Sequence, residues 1–137
     1  MGSTGAFLKS GGFSVEGWEE TGQTIYGLKV LKKKDMKPNE PPALPLFSNT
    51  PGTAYIILDH KGAFKQMMEY GENRRPILEL DYGPDRNVMS LHIHEWKDGV
   101  RQKAKVIAMP GGKIVDNKLY NKYRKLLKGL KNEFETK

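Results

Sequence analysis

Five short segments of β-type residues, each separated from the next by a turn signal, most constrain the fold of this chain. They occupy residues 53–58, 64–70, 76–82, 90–97 and 100–108. Gly, Pro, Asp and Asn residues lie between them and interrupt any longer element. This succession predicts an antiparallel meander. The expected fold class is α+β, with an antiparallel sheet of about five strands over 53–108.

The segments on the N-terminal side of this sheet are of a different kind. Residues 1–24 are rich in Gly, Ser and Thr, which predicts a flexible leader. Residues 35–52 contain five prolines, which favour an extended, stiff loop, and Leu44, Leu46 and Phe47 are expected to pin that loop to the body. A length of 137 residues suits one domain, predicted to span 25–137.

The last segment predicts an amphipathic helix. Asp116 is the expected N-cap. Apolar residues recur after it at helical spacing, and they predict a stripe that packs on the core: Leu119, Tyr123, Leu126, Leu127, Leu130 and Phe134. The other positions are mostly basic. The sheet is therefore expected to pack against a basic C-terminal helix.

Charge is distributed unevenly along the chain. Residues 1–96 hold 11 Lys and Arg against 12 Asp and Glu, whereas residues 97–137 hold 12 against 4. Such an excess of basic residues is typical of a protein whose partner carries phosphates. The absence of cysteine excludes disulfides, thiolate metal sites and a cysteine nucleophile. No apolar run is long enough for a membrane span, and no signal segment is expected.

The segment around His92 and His94 carries the chemistry. On a strand, these two residues and Trp96 point to one face, and Leu91 and Ile93 point to the other. Asp98-Gly99 is the pair that a two-residue hairpin turn prefers. Counting outward from this turn predicts the opposite pairs Trp96–Arg101, Glu95–Gln102, His94–Lys103, Ile93–Ala104, His92–Lys105 and Leu91–Val106.

This register brings three cations to the histidine face, where a phosphodiester would balance them. Nearby cations keep a histidine neutral and available as a base. We therefore expect a metal-independent, cofactor-free endoribonuclease in which the two histidines act as acid and base. The predicted catalytic residues are His92, His94, Arg101 and Lys103, and the predicted substrate-binding residues are Lys105, Trp96, Arg75 and Asp81.

Two alternatives remain open at this stage. His92 and His94 could ligate a divalent metal with Asp81 or Glu79, giving a metal-dependent nuclease, although facing lysines would repel the metal. A module that binds nucleic acid through the basic face and Trp96 without cleaving it is the other alternative.

Several short motifs within residues 52–105 resemble the C-terminal toxin domains of bacterial polymorphic toxins, found on Rhs-type, contact-dependent inhibition and phage-head-like carrier proteins. The motifs are Tyr70-Gly71-Glu72-Asn73-Arg74-Arg75-Pro76, Asp81-Tyr82-Gly83, His92-Ile93-His94-Glu95-Trp96 and Asp98-Gly99-Val100-Arg101. The residues carried over from the family motif are Asp81, His92, His94, Glu95 and Arg101. On a regular strand Glu95 points away from the histidine face.

The resemblance implies a nuclease toxin that its producer secretes as part of a larger carrier and that acts in the target-cell cytoplasm. It also implies a barnase-like or related fold, an RNA substrate such as tRNA, and a cognate immunity protein. A basic active face favours an acidic immunity partner.

Overall fold

A computed structural model describes residues 9–135, and nine strands among them form one sheet. The strands are β1 (Trp18–Ile25), β2 (Leu28–Lys33), β3 (Thr53–Leu58), β4 (Phe64–Tyr70), β5 (Pro76–Asp85), β6 (Val88–Lys97), β7 (Val100–Arg101), β8 (Lys105–Met109) and β9 (Lys113–Ile114). The helical elements are α1 (Asn117–Tyr123), a 3₁₀ helix (Arg124–Leu126) and α2 (Lys131–Phe134). No helix among these residues is long and apolar enough to cross a membrane.

The strands follow one another across the sheet in the order β1-β2-β3-β4-β5-β6-β8-β9, and β7 pairs with β6. Neighbours are antiparallel except β2 and β3, which are parallel because the proline-rich segment returns the chain to the same end of the sheet. The sheet is therefore mixed and larger than predicted. The predicted segments 53–58 and 64–70 are strands, and those beginning at 76 and 90 lie within longer ones.

The main core lies on the face of the sheet that the C-terminal helices cover. Its members include Leu80, Leu91, Ile93 and Ile107 from the strands and Tyr123 from α1. A second core lies on the opposite face, over β2 to β4. Both faces of the first half of the sheet are thus covered, whereas β5 to β7 keep part of the second face for polar groups.

Residues 9–25 include a strand and packed side chains where the sequence predicts a flexible leader. β1 pairs with β2, and Phe13 is 8% exposed within the second core. β1 lacks the apolar alternation of a half-buried strand, so its sequence pattern does not predict a strand. Residues 1–8 of the predicted leader lie outside the described residues.

The proline-rich loop forms no regular element over 36–52, as predicted. Leu44 is 4% exposed and joins the second core. Leu46 and Phe47 are exposed instead of pinning the loop. Two backbone carbonyls of the loop accept hydrogen bonds from side chains outside it. Ala43 O accepts from Trp18 Nε1 at 2.9 Å, and Pro45 O accepts from the Tyr70 hydroxyl.

The predicted continuous C-terminal helix is broken into three pieces. Asp116 does cap α1, because its side chain accepts from Leu119 N at 3.0 Å. The break falls at Gly129, whose φ of +78° is incompatible with a helix. There the backbone turns so that Lys128 O accepts from Phe64 N at 2.8 Å. The predicted apolar stripe nevertheless packs on the main core.

Candidate functional site

Two rows of paired residues build the polar part of the second face. In one row, Gln66 of β4, Asp81 of β5 and His92 of β6 are direct neighbours across the strands. In the next row, Met68, Glu79 and His94 are neighbours in the same way. Because paired residues on adjacent strands point to the same side, both carboxylates and both imidazoles share one face.

Three ligand-type atoms converge at the centre of this face. Asp81 Oδ2 lies 3.7 Å from His92 Nε2 and 3.8 Å from His94 Nε2. The two imidazole rings are 5.3 Å apart, with an angle of 85° between their planes. The His92 and His94 residues are 4% and 7% exposed. The group is therefore buried and compact, and its three atoms surround one point.

The opposite nitrogen of each imidazole fixes the ring. His94 Nδ1 donates to the backbone carbonyl of Gln102 at 2.7 Å. His92 Nδ1 lies 3.2 Å from the carbonyl of Ser90 and 3.1 Å from its hydroxyl. Nδ1 of His92 thus has both a carbonyl that accepts and a hydroxyl that can donate to it. A carbonyl oxygen can only accept, so Nδ1 of His94 carries the proton and its Nε2 presents a lone pair to Asp81. This is the arrangement that orients histidine ligands of metals.

Arg101 and Glu79 form a second ionic group, which contacts the first through Asp81. Arg101 Nη2 lies 2.7 Å from Glu79 Oε2 and 3.1 Å from Asp81 Oδ2. Trp96 Nε1 donates to Glu79 Oε1 at 3.0 Å, and Gln66 Nε2 donates to Asp81 Oδ1 at 2.9 Å. The buried Glu79 carboxylate thus has a cation and an indole as partners, and both oxygens of Asp81 are held.

Burial and the nearby Glu79 carboxylate raise the pKa of Asp81 to about 8. Burial would also raise the pKa of Glu79, but hydrogen bonds with Asp81, Arg101 and Trp96 outweigh it and lower that pKa. The pair therefore keeps one proton on Asp81 at neutral pH. Burial and the neighbouring His94 lower the pKa of His92, so this imidazole is neutral.

The predicted hairpin register is right near the turn and wrong by one residue at Ile93 and His92. It is wrong by two residues at Leu91, which lies opposite Ala108 after a second irregularity. Trp96 faces Arg101, and Gln102 N donates to Glu95 O at 2.7 Å, as predicted. Residues 102–104 then leave the ladder, and β8 resumes with Lys105 opposite Ile93 and Val106 opposite His92. The extra residue forms a bulge that turns the following side chains to the opposite face.

The bulge corrects the predicted positions of Lys103 and Lys105. Both line a cavity on the face of Ile93, away from the histidines. Only one of the three predicted cations, Arg101, lies on the histidine face. Neither lysine therefore faces the histidines, where it would repel a metal.

The remaining predicted residues are divided between the site and its surroundings. Trp96 contacts the site through its hydrogen bond to Glu79. Arg75 lies in the β4–β5 turn over the ring of Phe47, 5.4 Å from its centroid. Glu95 is exposed, pairs with Lys97 at 3.7 Å and lies on the opposite face, as a regular strand requires.

A cavity of about 170 Å³ gives access to the histidine face. Its lining includes Lys65, Gln66, Asp81, His92 and Arg101. The sequence analysis did not single out Gln66 or Lys65, because only the pairing of β4 with β5 brings them here. Glu79, already named as an alternative ligand, precedes Asp81 by two residues and so shares its face.

Comparisons of the chain with protein-family models, with curated proteins and with solved structures find no match. The function of the site is therefore inferred from its geometry.

Proposed function

We propose that this chain is a metal-dependent nuclease that cleaves RNA and that His92, His94 and Asp81 are its metal ligands. The observation that carries the proposal is the convergence of one carboxylate oxygen and one nitrogen of each imidazole within 4.8 Å of one another. A tetrahedral site with bonds of ~2.0–2.1 Å separates its ligand atoms by about 3.3 Å. Side-chain rotations would have to shorten the 3.7 and 3.8 Å separations from Asp81, and the largest separation of up to 4.8 Å, to that value.

The number of ligands favours a catalytic role. Catalytic metal sites keep three protein ligands and an open position, whereas structural sites are closed. Two histidines and one carboxylate are a common set for divalent transition metals. The cavity of about 170 Å³ beside Asp81 and His92 leaves room for water or a substrate oxygen at the open position.

The same geometry disfavours the metal-independent mechanism that the sequence predicts. An acid and a base for in-line phosphoryl transfer must reach opposite sides of the phosphorus atom. Here both Nε2 atoms face the same oxygen of Asp81, and this carboxylate lies where the phosphate would have to bind. The displacement of Lys103 and Lys105 by the bulge also removes most of the positive charge expected there.

The chain's own residues have separate roles in this proposal. A bound metal would polarise the phosphodiester and lower the pKa of water. Arg101, whose side chain is 47% exposed, and Lys65 flank the cavity and can hold phosphate oxygens. Gln66 holds the second oxygen of Asp81. Glu79 and Trp96 position Arg101 and keep the floor of the site rigid.

RNA is proposed as the substrate on two grounds. Residues 97–137 carry 12 Lys and Arg against 4 Asp and Glu, which suits a polyanion. The motifs around Asp81 and His92 resemble nuclease toxins. The proposal therefore includes a larger secreted carrier, action in the target-cell cytoplasm and an acidic immunity partner, and the barnase-like fold that the resemblance implies stays a prediction.

The test is cleavage of single-stranded RNA and of DNA by the purified chain after metal removal with EDTA. Activity should be absent in EDTA and return with Mn²⁺ or Zn²⁺. His94→Ala and Asp81→Asn should lower the restored rate by at least 100-fold. His60→Ala is the matched control, because His60 is exposed in the β3–β4 turn, where its Nε2 hydrogen-bonds with Glu40 O.

Each contrary outcome has a distinct meaning. RNA cleavage that persists in EDTA would support the two-histidine mechanism and contradict the metal ligands. Calorimetric binding of Zn²⁺ without cleavage of any nucleic acid would retain the metal site and refute the nuclease. Expression of the chain in a bacterial cytoplasm should arrest growth, and His94→Ala should not.

A further inference from the structure

A separate cavity lies on the other face of β6, behind the histidines. Its volume is about 430 Å³. Its lining includes Leu78, Ile93 and Tyr123 and the three lysines Lys103, Lys105 and Lys122. It therefore lies between the strands β5 and β6, the bulge after β7, and helix α1. We call it the lysine cleft.

The lysine cleft combines an apolar floor with a cationic rim. Leu78, Ile93, Leu119 and Tyr123 belong to the main core or pack against it, so the floor is fixed. Three lysines and one carboxylate, Glu95, surround this floor. Glu95 is itself engaged by Lys97, at 3.7 Å. The charge balance of the rim is therefore positive.

The three lysines differ in how firmly they are held. Lys105 Nζ is 3.3 Å from Asp116 Oδ2. Lys122 Nζ lies over the ring of Tyr123, 5.3 Å from its centroid. Lys103 makes no ion pair within residues 9–135, although it lines the same cavity as the two other cations. Lys103 therefore lacks a counter-charge among the described residues, and an anionic ligand would supply one.

We infer that the lysine cleft binds a nucleotide, with its phosphate on Lys103, Lys105 and Lys122 and its base on the apolar floor. The cavity volume falls within the ~300–1,000 Å³ of small-molecule sites. An apolar floor beside ammonium groups matches a nucleotide, whose flat base is joined to an anion. Phosphate alone would leave the floor unused.

The inference goes beyond the proposed function, because the lysine cleft and the histidines occupy opposite faces of the sheet. The bulge links the two sites. The backbone carbonyl of Gln102 accepts a hydrogen bond from His94 Nδ1. The same residue also lines the lysine cleft. A strand of RNA bound in the cleft would pass around the β6–β7 hairpin, and a free nucleotide would remain within the cleft.

The experiment measures the binding of AMP, ribose 5-phosphate and a 2′-O-methyl RNA oligonucleotide to the metal-free full chain by calorimetry. AMP should bind at least 10-fold more tightly than ribose 5-phosphate. Lys103→Ser/Lys122→Ser should weaken AMP binding at least 10-fold. Lys37→Ser/Lys61→Ser, which removes the same charge from exposed loops on the other half of the sheet, should change it less than 2-fold.

The outcomes decide between the sources of the nucleotide and against the proposal. Displacement of AMP by the oligonucleotide identifies an RNA strand as the occupant, and its absence identifies a free nucleotide. Equal binding of AMP and ribose 5-phosphate, or equal loss in both double variants, would overturn the nucleotide site. Repeating the AMP titration with Asp81→Asn separates the two sites: it should be unchanged whether or not the chain proves to be a nuclease.

Discussion

His94 donates its Nδ1 proton to the carbonyl oxygen of Gln102, 2.7 Å away, across the start of the bulge that follows β7. This bond joins the local irregularity of the hairpin to the orientation of the imidazole. The bulge both supplies the acceptor for His94 and turns Lys103 away from it. One extra residue thus separates a site suited to a metal from one crowded by cations.

Deletion of Ala104 should abolish metal binding while the fold is retained. Without the extra residue, the hairpin returns to a regular register with Lys103 opposite His94. The loss of the orienting carbonyl alone is worth ~10–100-fold in metal affinity. Calorimetry with Zn²⁺ measures the change, and circular dichroism checks the sheet. Ala104→Gly keeps the residue count and should bind normally; equal loss in both variants would contradict the role of the bulge.

The stability of the metal-free protein should depend on pH through Asp81. Its pKa in the folded state, about 8, lies above the unfolded value of 3.8. The folded state therefore keeps a proton that the unfolded state releases, and this stabilisation is full below pH 3.8 and is lost as the pH rises through 8. The slope is at most ~1.4 kcal/mol per pH unit.

Urea denaturation of the wild type and of Asp81→Asn between pH 5 and 8 measures this effect. The free energy of unfolding of the wild type should fall relative to that of the variant as the pH rises. Glu95→Gln changes an exposed carboxylate on the same strand pair and serves as the control. A stability difference between the wild type and Asp81→Asn that stays constant over this range would show that Asp81 is already ionised in the folded state.

Arg101→Gln should destabilise the protein by ~2 kcal/mol, because it leaves the buried Glu79 carboxylate without its cation. Breaking a fully buried pair costs ~3–5 kcal/mol, and the half-exposed Arg101 reduces that figure. Arg75→Gln removes an exposed cation–π contact and should cost no more than ~1 kcal/mol. Urea denaturation at neutral pH compares the two. The double variant Glu79→Gln/Arg101→Gln should recover part of the loss; no recovery would argue against the unpaired charge as its cause.

Gly129→Ala should destabilise the protein by ~2 kcal/mol. The residue has φ +78°, and an added Cβ would lie 3.0 Å from the Cβ of Ala63. Gly111→Ala isolates the backbone term, since Gly111 has φ +92° and open space around it, and it should cost ~1 kcal/mol. Thermal unfolding compares the two variants. Equal losses would show that the contact with Ala63 contributes nothing.

Local patterns in the sequence were sufficient for much of β3 to β6. Alternation along β6 predicts that His92 and His94 share a face opposite Leu91 and Ile93, and they do. The turn residues around Asp98 predict the first hairpin pairs correctly. These signals are local, because the period of a strand and the preference of a turn are properties of a few adjacent residues.

β1 and the break in the C-terminal helix were hidden for different reasons. β1 is an exposed edge strand, stabilised by its pairing with β2 and by Phe13 packed on the second core, so its own sequence carries little apolar pattern. Gly129 lies among residues with good helical spacing. Only the docking of Lys128 O on Phe64 N shows why the chain turns there.

The sequence by itself determined that two histidines lie on one side of a strand that ends in a tight hairpin. The tertiary structure decided what faces them: Asp81 and Glu79 come from β5, Gln66 comes from β4, and the bulge removes Lys103 and Lys105. The physical reason is that the side-chain period of a strand is two residues. A shift of one residue, set by contacts between strands distant in the chain, changes the face and therefore the chemistry of the side chains that follow it, up to the next irregularity.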